Sequence, residues 1–119
     1  MNTVAIRGAI TIEENTQKSI LEGTTELLLS IQEKNKLVKE NVAAIVFTCT
    51  NDLDKVAPAK AAREIGYVHT ALMCFNEMNV ENSLEKCIRI MILYNCDTKQ
   101  KDVKHCYLRG AQILRPDLI

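Results

Sequence analysis

Residues 42–50 read VAAIVFTCT, a nearly continuous apolar run of strand length, which predicts a central strand covered on both faces. Asn51-Asp52 ends it. Upstream, TVAIRGAI at 3–10 is β-branched and interrupted only by Arg7 and Gly8, predicting a first strand. Between the two, Ile20, Leu21, Leu27, Leu28 and Ile31 return at helical spacing from Thr16 to about Asn35, with Asn15 or Thr16 as the cap. Gly23 should weaken that helix by about 1 kcal/mol relative to alanine, a loss that leucines packed on a sheet can offset. Downstream, PAKAAREI at 58–65 opens with a proline suited to a first helical turn and stops at Gly66, predicting a short helix. Tyr67 to Met73 reads as a third strand, CIRIMILY at 87–94 as a fourth, and HCYL at 105–108 as a short fifth with a helical turn around Arg109-Gly110. This order predicts one domain over 1–119, of α/β (α+β) class, with a mixed β-sheet carrying its helices on one face. One sheet edge is left poorly covered, and another subunit is the natural cover.

Composition narrows the function classes. Lysine plus arginine balances aspartate plus glutamate, 15 against 15, so no broad basic field exists to attract nucleic acid or an anionic membrane. The N-terminal MNTVAIRGAI carries Arg7 inside its apolar run, too short for a signal peptide or a membrane span, and a cytoplasmic location is expected. Five cysteines, Cys49, Cys74, Cys87, Cys96 and Cys106, form an odd set without C-x-x-C, which argues for reduced thiols over a disulfide framework or zinc ribbon.

Two arginines lie inside strands that otherwise read as core, Arg7 between Ile6 and Gly8 and Arg89 between Ile88 and Ile90. A guanidinium stays charged, so each requires an anion or a wet cleft. Period-two alternation puts Cys87, Arg89 and Met91 on one face and Ile88, Ile90 and Ile92 on the other. Pattern alone leaves open whether Arg89 makes a structural ion pair, with Glu77 as the candidate, or meets a ligand. Glu77, in CFNEM at 74–78, is a loop carboxylate between two expected strands, and Lys60 and Arg63 share one face of the second helix, where a solvated face is the ordinary reading. His105 and Cys106 are adjacent on a strand and point to opposite faces, His69 stands alone, and no glycine-rich phosphate loop, H-E-x-x-H or G-x-S-x-G occurs.

IRGAIT at 6–11, PAKAAREI at 58–65, CFNEM at 74–78, KCIRIM at 86–91, HCYL at 105–108 and LRPDL at 114–118, taken in this order and spacing, resemble the AroH-type chorismate mutases over nearly the whole chain. The resemblance implies a homotrimer of chorismate mutase-like (ferredoxin-like) subunits packed as a pseudo α/β-barrel, with active sites in clefts between neighbours. It implies the cofactor-free rearrangement of chorismate to prephenate on the way to tyrosine or phenylalanine. Carried over by motif, Arg89 would donate to the ether oxygen and a carboxylate. Arg7 and Tyr107 would hold the side-chain carboxylate, while Glu77, with the Cys74 main chain or thiol, would bond the ring hydroxyl. Arg63 would reach in from the adjacent subunit. Lys60 and the tail around Leu114 and Arg115 would border the entrance, with the tail ordering over bound ligand and ending soon after LRPDL. One position departs: the family usually has an aromatic residue just before PAK, and here it is Ala57, so either substrate affinity is poorer or a side chain such as Phe75 fills the gap. The runner-up is a small-molecule-binding or RidA-like deaminase trimer, from which the set Arg7, Glu77, Arg89 and Tyr107 discriminates.

Overall fold

The computed structural model describes residues 1–115. Within them, β1 (Asn2–Thr11), β2 (Val42–Cys49), β3 (Ala71–Asn76), β4 (Cys87–Cys96) and β5 (Cys106–Leu108) form a mixed sheet in the order β3-β2-β4-β1-β5. The inner pairs β2–β4 and β4–β1 are antiparallel, and the outer pairs β2–β3 and β1–β5 are parallel. Two helices, α1 (Gln17–Asn35) and α2 (Ala59–Glu64), pack on one sheet face as expected.

Strand alternation divides the sheet cleanly. Ile6, Ile10, Ile45, Phe47, Ile88, Ile90 and Ile92 point under the helices and are buried with Ile20, Leu27, Leu28 and Ile31 of α1. Thr16 supplies the helix cap, its hydroxyl accepting the Ser19 N–H at 3.0 Å, while Asn15 bonds Asp54 instead. Gly23 is buried where a Cβ would lie 2.5 Å from Ile12 Cγ2, so the glycine lets α1 settle against the end of β1. A close helix–sheet contact thus replaces the lost helix propensity.

Two expectations need correction. β2 is central but covered on one face only, because both helices lie on the same side; Val46 and Thr48 on the other face are half-buried. The third strand starts at Ala71, not Tyr67. Gly66, at φ 109°, closes α2 with its N–H on the Arg63 carbonyl and the Tyr67 N–H on that of Ala62, so Tyr67 still belongs to the helix cap and residues 68–70 link it to the strand. Tyr67 belongs to the core, its hydroxyl donating to Gln32 Oε1 at 2.9 Å. The turn expected near Arg109 is a 3₁₀ helix, Arg109–Leu114, lying over the end of β1.

Candidate active site

The helix-free face of the sheet carries an unusual mixture of apolar and charged groups. Met73, Phe75 and Met91 remain 59%, 51% and 38% exposed there, beside Arg7 and Arg89. Cross-strand register sets Thr48 between Arg89 and Phe75, and Met91 opposite Arg7. Arg7 is exposed and Arg89 half-buried. The strand arginines therefore do not lie in the core, as the apolar runs around them suggested; alternation turns both onto the open face, where no buried charge arises.

Arg89 and Glu77 form the centre. Arg89 Nε stands 3.5 Å from Glu77 Oε1, an ion pair looser than a charge-assisted hydrogen bond. The same carboxylate oxygen accepts the Thr48 hydroxyl at 2.6 Å, and the Glu77 N–H donates to the Cys49 carbonyl at 2.8 Å, so the end of β3 is pinned to β2 with its carboxylate held over the face. The guanidinium also bonds the Cys87 thiol, so Arg89 is held from two sides on the open face while still able to donate further hydrogen bonds. Arg7, Thr48, Glu77, Arg89 and Met91 line a recess of about 210 Å³; Glu77 and Arg89 also border a second of about 240 Å³ with Thr50, Leu84 and Cys87.

Tyr107 lies on the same face, paired with Ala9 and packed with Cys87, Ala111, Leu84 and Leu114. Its hydroxyl is buried and has no hydrogen-bond partner among the described residues. An unpaired buried hydroxyl costs roughly 1–3 kcal/mol, which marks this group as one awaiting an outside acceptor. Leu114 is half-buried against it, and Arg115 follows; the remainder of LRPDL, 116–118, lies outside the described residues.

The other expected site residues stand apart. Ala59 and Ala62 bury α2 in the main core, which leaves Ala57, Lys60 and Arg63 exposed on the helix side of the sheet, away from Arg89. Cys74 pairs with the core residue Phe47, so its thiol is on that side too, at the exposed β3 edge; within one chain it does not join Glu77. Phe75 points the opposite way, onto the open face that carries Arg89. Burial pushes the Cys49 thiol up to about 12 and raises Cys87 as well, the nearby Arg89 pulling the latter back, so both stay protonated and unreactive at neutral pH. Among the described residues no three His, Cys, Asp or Glu side chains converge as a metal site would require. Thr48 is a residue that sequence reasoning missed, although it is detectable as the polar member of an apolar strand, in phase with the open face.

Comparison with known proteins points to one family. Residues 3–118 match the family described as chorismate mutase type I. The chain is 48% identical to chorismate mutase AroH of Thermus thermophilus over 114 residues, covering 95% of this chain and 93% of that one. It is 42% identical to chorismate mutase AroH of Bacillus subtilis (strain 168), covering 95% and 90%. A solved structure of a chorismate mutase from Clostridium thermocellum superposes with a TM-score of 0.90 at 50% identity, covering 92% of this chain and 97% of that one.

Proposed function

The chain belongs to the type I chorismate mutase family and is a chorismate mutase; we propose that it rearranges chorismate to prephenate in a cleft centred on Arg89, Glu77 and Arg7. The observation that carries this reading is the half-engaged Arg89–Glu77 pair on an open face, with the unpartnered Tyr107 hydroxyl nearby. The reaction is an intramolecular Claisen rearrangement of a dicarboxylate. The ether C–O bond lengthens ahead of C–C bond formation, so negative charge grows on the ether oxygen, while no proton, hydride or group leaves the molecule. Two tasks fall to the protein: holding the enolpyruvyl chain over the ring, and stabilising that oxygen.

Arg89 suits the second task. Its guanidinium donates to the ether oxygen, and the interaction strengthens as charge develops, so it lowers the barrier rather than only binding substrate. Glu77 accepts from the ring hydroxyl while keeping Arg89 oriented. Arg7 and Tyr107 take the side-chain carboxylate, which gives the buried hydroxyl its acceptor. This set, which a carboxylate-binding or RidA-like trimer has no use for, favours the mutase over that alternative.

Ala57, Lys60, Arg63 and Cys74 lie across the sheet from Arg89, and a single chain has no means of bringing them to the same ligand. We place them in the cleft of a neighbouring subunit. The exposed Met73, Phe75 and Met91 support a homotrimer whose open faces are buried against one another, since so apolar a face is unusual on a monomer. The five free cysteines fit a reducing cytoplasm, and among the described residues no helix is long and apolar enough to cross a membrane.

The purified protein should consume chorismate, followed by the fall in ultraviolet absorbance as the ring diene is lost, at a rate unchanged by EDTA or added cofactors. Turnover lost on chelation and restored by zinc would overturn the mechanism. Ala57→Phe should lower KM by roughly 1–2 kcal/mol of added ring burial if a neighbour's Ala57 leaves the cleft wall open. An unchanged or higher KM would show that the space is already filled.

A further inference from the structure

β5 begins at Cys106, which pairs in parallel with Gly8 of β1. One residue earlier the ladder would stop and leave the Arg7 N–H without a rung. The acceptor there is a side chain: His105 Nδ1 takes the Arg7 N–H at 2.9 Å. An imidazole accepting at Nδ1 is neutral with its proton on Nε2. The loop carrying it is fixed from behind, because the Asn35 side chain of α1 accepts the Lys104 N–H and donates to the Lys104 carbonyl, both at 2.8 Å.

We propose that His105 is a positioning residue for substrate binding: its neutral Nδ1 extends the β1–β5 ladder by one rung and so holds the Arg7 main chain where the guanidinium meets the substrate's side-chain carboxylate. The inference rests on the role given above to Arg7. The chain of contacts runs from α1 through Asn35, Lys104 and His105 to Arg7, joining the rigid core to an exposed arginine whose strand is paired with β4 on its other side. Protonation of His105 breaks this link, because Nδ1–H would face the Arg7 N–H as a second donor. The charged groups facing His105 are both cations, Arg7 on β1 and Arg115 after the 3₁₀ helix; α1 offers the neutral Asn35 amide. Burial first, then Arg115 and Arg7, lower the imidazole's pKa from its usual value, which keeps the acceptor form through neutral pH.

Steady-state kinetics of His105→Ala, His105→Asn and His105→Gln test this. The substrate carboxylate bound by Arg7 is the same in ground and transition states, so loss of its positioning should raise KM with little change in kcat. His105→Ala should raise KM by roughly threefold to tenfold, the range expected for one hydrogen bond. Asparagine places a carbonyl oxygen near the Nδ1 position and should restore KM; glutamine, whose oxygen falls nearer Nε2, should not. Wild-type kcat/KM should fall on the acid side as His105 protonates below its usual pKa of about 6.5, and His105→Asn should lack this limb. In an Arg7→Ala background, His105→Ala should add nothing. Equal KM values for the alanine and asparagine variants, a fall in kcat alone, or an acid limb that persists in His105→Asn would overturn the proposal. A silent Arg7→Ala would remove the role of Arg7 and this inference with it, whereas a damaging Arg7→Ala beside a silent His105→Ala would remove the inference only.

Discussion

Replacing Arg89 by alanine is expected to lower kcat by at least 10²–10³, the usual loss for one oxyanion donor, and by more because this donor is charged. Its position explains the size of the effect. Alternation on β4 aims Arg89 out of the sheet, Ile88 and Ile90 anchor its strand beneath the helices, and Glu77 holds its Nε edge from 3.5 Å. The guanidinium is therefore placed before substrate arrives, and little reorganisation is needed as charge shifts to the ether oxygen. Lysine should rescue only in part, since a single ammonium cannot keep Glu77 and reach both the ether oxygen and a carboxylate. A variant with normal kcat and raised KM would instead assign Arg89 to binding the ground and transition states equally.

Much of this arrangement was legible in the sequence because it depends on local periodicity. The alternation in CIRIMILY set Arg89 apart from Ile88 and Ile90, and the structure agrees. Spacing in 16–35 found α1, and Pro58 and Gly66 bracketed α2. What periodicity could not supply was the third dimension. An apolar run such as VAAIVFTCT looks the same whether its second face is covered by a helix of its own chain or left open, so β2 read as doubly covered. Tyr67 is apolar enough for a strand, and only the capping bonds at Gly66 and Tyr67 show that the chain is still leaving α2 there. The division of the site residues between two sides of the sheet follows from both helices packing on the same face, a non-local property. The resemblance to AroH-type enzymes took Arg63 from the adjacent subunit and set Cys74 with Glu77; within one chain the Cys74 thiol and Glu77 lie on opposite sides of the sheet. His105 read as part of the fifth strand, whereas β5 begins at Cys106 and the imidazole instead accepts the Arg7 N–H.

The second large effect concerns that separation. Arg63 is exposed on α2 and Arg89 lies across the sheet, so in the proposed trimer each cleft would take Arg89 from one chain and Arg63 from its neighbour. Arg63→Ala and Arg89→Ala should each be nearly inactive as pure assemblies. When equal amounts are unfolded together and refolded into random head-to-tail rings, an Arg63→Ala chain brings an intact Arg89, and an adjoining Arg89→Ala chain brings an intact Arg63. Independent filling of each position gives both arginines to roughly a quarter of the clefts. Wild type refolded with the double variant calibrates the yield: it should retain about a quarter of full activity for a shared cleft and about half for a cleft within one chain. The decisive measurement is chorismate turnover by the mixed single variants, with sedimentation confirming trimers. A rise from near zero towards a quarter of wild type is expected; a mixture as inactive as its parents, although trimers form, would contradict a site shared between subunits.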